Sequence, residues 1–275
     1  MTWLVIARKE FEDALRSRML WAIVVLIAAM TSLAAGVMVL VPGVSGDPVS
    51  AIGAASQFAA MLVPIMALIA GYLAIAGERE SGSLKILLGL PPSRGEVLLG
   101  KFLGRAGVVG IGVGAGFAIS GVITRALYGV VPVLDFVGVT LLSAALGICF
   151  VGIAVGISAT TAVRSRAMTL AVAAYLVLTL LWDMVPQGVH LVVAGSMPGA
   201  TVPGWFLLLQ RASPSGAYNT LVQRVLVDTD AALAARLGGE VPAYLDAPFF
   251  LGILVLWTIL PLVFGYRRFR RADLS

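Results

Sequence analysis

The sequence predicts an all-α polytopic membrane protein: an amphipathic N-terminal helix, then six transmembrane helices, with both termini cytoplasmic. Three observations lead there. Only 12% of the residues are charged and 60% are hydrophobic, with a mean hydropathy of +1.01. Soluble domains carry about 25% charged residues, so this chain has too few to cover a water-facing surface. The apolar residues gather in runs of about 20, the length a helix needs to cross a bilayer core. Lysine and arginine cluster in the segments that flank alternate runs, which is the charge bias that orients membrane helices. The net charge of +5 and pI near 9.7 therefore read as topology and not as a nucleic-acid footprint.

Residues 1–18 form the amphipathic element. Trp3, Leu4, Ile6, Ala7, Phe11, Ala14 and Leu15 recur at helical spacing, and Arg8, Lys9, Glu10, Glu12, Asp13, Arg16 and Arg18 fill the other side. That pattern suits a helix lying in the membrane interface. A signal-peptide leader fits less well, because the following run is too long for its apolar segment. The spans are expected at Leu20–Val41, Ser56–Ala76 (kinked at Pro64), Lys101–Ile123, Leu134–Thr160, Ala167–Val185 and Phe249–Phe264, the last anchored by Tyr266. With the N-terminus inside, only Arg125, Arg211, Arg224 and Arg236 fall on the outer side. Residues 186–248 then make one long outer loop with short helices. In it, Trp205–Leu209 is an apolar patch expected at the interface, and Ser213-Pro214-Ser215 opens a helix.

The spans hold almost no charge. Arg105 stands near the cytoplasmic end of the third and Asp183 near the outer end of the fifth, with nothing ionisable at mid-depth for ion coupling. No nucleophile with a base, no carboxylate pair and no metal constellation is visible, so catalytic and metal sites are expected to be absent. Cys149 reads as a small core residue, and the lone His190 as a loop or interfacial residue. Gly95-Glu96-Val97-Leu98-Leu99-Gly100-Lys101-Phe102 nearly spells a phosphate-binding loop, but Phe102 stands where magnesium needs a hydroxyl and no strand precedes it. Ser93-Arg94-Gly95-Glu96 fits a capping box that opens the third span. Gly100 and Gly104, Gly112 and Gly116, and Gly152 and Gly156 make small-xxx-small faces. Such faces serve packing within one bundle or between two copies, and spacing does not separate the two.

One polar stretch remains, Gly77-Glu78-Arg79-Glu80-Ser81-Gly82-Ser83-Leu84-Lys85, followed by Ile86, Leu87 and the Pro91-Pro92 break. From its residues alone it is a solvated loop or a docking surface for a soluble partner. Glu78–Lys85, with Leu90-Pro91-Pro92-Ser93-Arg94 and Gly100-Lys101, resembles the cytoplasmic loop of ABC type-2, export-type, transporter permeases. In that family such a loop leads into a coupling helix that docks on the ATPase subunit. Ala7-Arg8-Lys9-Glu10-Phe11 resembles the family's elbow helix, and Ser213–Tyr218 resembles a segment of its outer loop. The chain is most similar to the subgroup associated with nitrous oxide reductase maturation.

The resemblance implies one permease domain over residues 1–275, with an elbow at 1–18, a coupling loop at 77–100 and an extracytoplasmic loop at 186–248. It implies a homodimer in the cell membrane with two copies of a separate ATPase subunit. That subunit would hold the ATP and magnesium, and this chain would bind no cofactor itself. Glu78, Arg79, Glu80, Ser81, Gly82, Ser83, Leu84, Lys85, Ile86 and Leu87 are then the coupling residues, and Arg8, Lys9, Glu10 and Phe11 mark the elbow. The faces of the first, second and fifth spans would line the path, and the outer loop leaves room for an extracytoplasmic accessory protein. The alternative is a membrane scaffold that holds an outer partner without transport.

Overall fold

Caps set the helices before packing does. Ser93 accepts from the Glu96 backbone amide while the Glu96 carboxylate accepts from the Ser93 amide, so the capping box is present and opens the longest helix. Asp47 caps another helix through the Ser50 amide, with Pro48 in its first turn. The computed structural model describes residues 2–15, 18–40, 46–83, 92–227 and 229–272. Within them every regular element is helical: α1 Thr2–Leu15, α2 Arg18–Leu40, α3 Pro48–Gly71, α4 Ala76–Glu80, α5 Arg94–Tyr128, α6 Val133–Thr160 and α7 Arg164–Tyr175. A π-helical segment, Leu176–Leu181, continues α7, followed by α8 Met184–Ala194, α9 Gly204–Gln210, α10 Pro214–Leu226, α11 Asp230–Leu237, a 3₁₀ turn Ala243–Leu245 and α12 Ala247–Arg271.

Among the described residues, five stretches are long and apolar enough to cross a membrane: Pro48–Glu80, Arg94–Tyr128, Val133–Thr160, Arg164–Leu181 and Ala247–Arg271. The described apolar part of α2, Trp21–Val37, is shorter. The centre of the bundle is α6, buried almost continuously from Leu146 to Ala159. It packs against α3, α5 and α12, while α1 and α2 lie along α5. Glycines permit the closest approaches. A methyl group on Gly156 would run into the Pro261 carbonyl of α12, and one on Gly116 would sit 2.8 Å from Ile27 of α2. On the outside of the bundle, Leu141, Leu180 and Val255 are apolar and exposed.

The third helix opens at Arg94 behind its expected Ser93 cap, ahead of the apolar span expected from Lys101, and the last helix runs on to Arg271. Other expectations change. The fifth span, expected to run to Val185, ends at Leu181, and Pro186 does not lie in a loop. It sits in the first turn of α8, where a missing amide costs little. His190 therefore lies on a helix and is buried, with Nδ1 3.0 Å from the Ser196 carbonyl and its ring against Trp205 and Phe206. Phe206 and Leu207 face the core rather than the interface.

The helices that follow α8 are tied to the bundle by polar anchors. Trp182 Nε1 donates to the Leu209 carbonyl and Trp257 Nε1 to the Ala212 carbonyl, each at 2.8 Å. Tyr218, fully buried on α10, has its hydroxyl 2.9 Å from Ser143 Oγ of α6 and donates to the Ser56 carbonyl of α3. Ser213 caps α10 through the Gly216 amide. The Ser213–Tyr218 segment thus ends in an anchor across two spans.

Candidate functional site

The N-terminal helix and the last turn of α12 lie at one end of the bundle, and most of the basic residues gather there. The organising element is α4, only five residues long, which carries Glu78, Arg79 and Glu80. A helix this short cannot stabilise itself. Its geometry is imposed by side chains from other helices. Ser158 Oγ of α6 accepts from the Ile75 and Ala76 amides at 3.0 and 2.9 Å, which satisfies the first free donors of α4. Gly82, at φ 76°, occupies the left-handed region and ends the turn, a conformation that favours glycine. Ser81 and Ser83 hydroxyls lie 2.9 Å apart and both reach the Glu78 carbonyl.

Lys101 is the buried charge that joins the helices. Its side chain is 2% exposed, and Nζ donates at 2.7 Å to Glu10 Oε1 of α1 and at 2.7 Å to Glu78 Oε1 of α4. One turn further along α5, Arg105 Nε donates to Glu10 Oε2 at 2.8 Å and Nη1 to the Ala70 carbonyl of α3. Burial pushes the Glu10 carboxyl upward. The Lys101 and Arg105 charges and their hydrogen bonds outweigh it and hold the group below the usual glutamate range. Gly100 and Gly104 make this approach possible. A methyl on Gly100 would meet Ile6 and the Trp3 carbonyl, and one on Gly104 would lie 2.6 Å from Glu10 Cβ. The near-phosphate-loop segment is helical in its described context, and its lysine is held by two carboxylates.

Glu80 closes the junction on the far side. Its Oε2 accepts from the Arg164 backbone amide at 2.6 Å, and Arg164 Nη2 donates to the Gly77 carbonyl. Because α7 has no side-chain cap of its own, Glu80 caps it from α4. Arg94 performs the matching task at the other terminus. Its Nη1 donates to the Phe269 and Ala272 carbonyls at 2.7 and 2.8 Å, and its guanidinium lies over the Phe269 ring.

The sequence-predicted residues are therefore divided. Glu10, Glu78 and Glu80 come together with Lys101, Arg105, Ser158 and Arg164, which sequence reasoning did not assign to the site. Arg8 pairs with Glu12 on the exposed face and Lys9 is exposed, whereas Glu10 turns inward, away from the polar side expected of it. Phe11 packs beside Gly107. Leu84, Lys85, Ile86 and Leu87 lie outside the described residues. Gly100 and Gly104 face α1, Gly116 faces α2, Gly152 and Gly156 face α12, and Gly112 is buried in α5. The signal that pointed to the cluster was available: Lys101 and Arg105, four apart, share the helix face of Gly100 and Gly104. Among the described residues no group of acidic, histidine or cysteine side chains is placed to hold a metal ion.

Comparison with known proteins is consistent along the whole chain. The family described as ABC-2 family transporter protein matches residues 4–274. A protein of Pseudomonas aeruginosa named "Probable ABC transporter permease protein NosY" is 31% identical over 287 residues, covering 97% of each chain. A protein of the same name from Stutzerimonas stutzeri is 31% identical over 277 residues, again covering 97% of each.

Proposed function

The chain belongs to the ABC-2 family of transporter proteins and is a multi-pass protein of the cell membrane, and from that premise we propose that it is the permease subunit of an ATP-driven exporter. A separate ABC ATPase subunit would bind and hydrolyse ATP, and two permease copies with two ATPases would form the working unit. The chain would cross the membrane six times, α2 included, as a single permease domain. Its basic end, with α1 and the end of α12, would face the cytoplasm by the positive-inside bias. Glu78–Leu87 would form the coupling loop and α1 the elbow. The exposed apolar face formed by the end of α7 and its π-helical continuation, with Val172 and Leu176, supports a second copy beside it.

The observation that carries the reading is the buried bridge from Glu10 through Lys101 to Glu78. A push on the loop after α4 meets a helix already fastened to α1, α5, α6 and α7 through Lys101, Ser158 and Arg164. Charge-assisted contacts in a low-dielectric setting are stiff and directional, so displacement of α4 is passed to those spans rather than absorbed. The polar groups of the chain at this end transmit; they do not hydrolyse.

The test is reconstitution of the full chain with an ABC ATPase subunit in nanodiscs. The two should co-purify, and the permease should stimulate hydrolysis. Glu80→Gln still accepts from the Arg164 amide and should keep stimulation. Glu80→Ala removes the α7 cap and should lower stimulation several-fold with the complex intact. Failure to associate with an ABC ATPase, or full stimulation by Glu80→Ala, overturns the proposal.

A further inference from the structure

A second polar feature at the basic end shares only Arg79 with the proposed coupling loop. Arg79 of α4, Arg166 of α7, and Arg267, Arg268 and Arg271 of α12 line one open depression of about 810 Å³. Thr160 at the end of α6 and residues 161–163 before α7 line it too, and Phe264 stands at its edge with 56% exposure. No carboxylate lines it among the described residues. Among the described residues none of the five guanidiniums has an ion pair or hydrogen bond, and Arg268 instead lies over the Phe264 ring. The contrast is internal to the molecule. Lys101, Arg105, Arg164 and Arg224 each have a carboxylate.

Orientation in the membrane asks only that basic residues lie on one side. It does not ask that five arginines from three helices converge on one concavity, where like charges repel. An anion removes that cost, and arginine forks match phosphate oxygens bidentately. The position selects the anion's source. The arginines sit where α12 passes from its exposed apolar stretch, Leu260, Val263 and Phe264, into its basic last turn. Met168 of α7 is also exposed, one turn below Arg164. A ligand with a phosphate at the arginine level and hydrocarbon below it fits both surfaces, whereas a soluble anion or an acidic protein surface uses only the first.

We propose that this depression is a binding site for the phosphate headgroup of an anionic phospholipid, with its acyl chains on the apolar flanks of α12 and α7. Basic pockets between membrane helices are known to take such headgroups. The proposal does not rest on ATP coupling and holds for either leaflet.

The test uses the full chain, delipidated in detergent, with phosphatidylglycerol, phosphatidylcholine and inorganic phosphate titrated separately and adducts followed by native mass spectrometry. Phosphatidylglycerol should bind at least tenfold tighter than phosphatidylcholine, and inorganic phosphate should not displace it. Arg79→Gln/Arg268→Gln/Arg271→Gln should weaken phosphatidylglycerol binding tenfold or more. Arg125→Gln/Arg236→Gln, on residues outside the depression, should leave it unchanged. If the triple variant loses its monodisperse profile, Arg166→Gln and Arg267→Gln, both on exposed residues, should each weaken binding several-fold. Equal binding of the two lipids overturns the proposal. So do displacement by inorganic phosphate, which marks a free-phosphate site, and retention of phosphatidylglycerol by a monodisperse triple variant, which shows that the arginines do not hold the lipid.

Discussion

Replacing Lys101 with methionine is the sharpest perturbation of the junction. Methionine keeps most of the apolar stem and removes the ammonium. Two carboxylates then lose their shared cation, Glu10 at 14% side-chain exposure and Glu78 at 33%. Removing one member of a buried ion pair costs about 3–5 kcal/mol, because the remaining charge is left desolvated. Glu10 retains Arg105, which lowers its share, and Glu78 is a third exposed, which lets water screen it. Against that, Glu78 Oε2 is buried with no hydrogen-bond partner among the described residues, so none of them takes over when Lys101 is lost. The expected loss is therefore at the lower end, about 3 kcal/mol. At about 2–4 °C per kcal/mol, the melting temperature in nanodiscs should fall by roughly 6–12 °C. The companion variant Glu78→Gln/Lys101→Met removes one unpaired charge with the cation, and should recover at least half of the loss while leaving α4 uncoupled from α5. Thermal unfolding and stimulated ATPase activity are read on the same samples. A Lys101→Met protein melting within about 1 °C of the parent would show that the bridge carries little, and the transmission argument would fall with it.

Three further outcomes follow from the same geometry. The Glu10 carboxyl is held below its ordinary value of 4.5, so the unfolded chain binds more protons there; the contribution is complete above that value and is lost as pH falls through the lower folded-state value. The melting temperature of the parent should drop more steeply below about pH 4.5 than that of Glu10→Gln, as followed by a pH series of thermal melts. Gly156→Ala drives a methyl into the Pro261 carbonyl and should cost about 1–3 kcal/mol, whereas Gly110→Ala, with open space around it, should gain about 0.5–1 kcal/mol from helix propensity; denaturation of the pair separates packing from propensity. Tyr218→Phe removes the hydroxyl shared by Ser143 and the Ser56 carbonyl and should cost about 1–3 kcal/mol, with protease sensitivity rising in residues 204–226.

What sequence could and could not reach has a physical pattern. Long apolar runs, the Ser93 capping box and the Ser213 cap are local signals, and each has its counterpart in the structure. The Glu10 error shows where local reading stops. An amphipathic pattern sends every charge toward water, but here the cost of burying a carboxylate is met by Lys101 and Arg105, 91 and 95 residues away. Arg94 is similar, since its acceptors lie 175 and 178 residues downstream. The loop expected from residue 186 onward differs for the opposite reason, since its first residue, Pro186, lies in a helix. Proline is a strong local breaker in general, yet harmless in a first helical turn. The depression formed by Arg79, Arg166 and the α12 arginines is invisible in sequence because each contributor there also satisfies the orientation bias.

The internal partners of the acidic groups, and not their burial, change what the polar loop can offer another protein: Glu78 is a third exposed and Glu80 nearly half. Glu78 and Glu80 are the most conspicuous charges in the stretch and suggest a surface that greets a basic patch. In the structure both point back into the molecule, one at Lys101 and one at the first amide of α7. Reversing either would break internal fastening before it altered any contact with another protein, so loss of coupling in such variants would report on the junction and not on docking. A docking contact can be tested cleanly only at exposed groups that take no part in the junction, such as the Ser81 and Ser83 positions beyond Glu80 and the outer face of α1, where Arg8 and Lys9 stand free of the α5 contact. Variants confined to those positions, with melting temperature unchanged, are the ones whose effect on ATPase association would locate the interface.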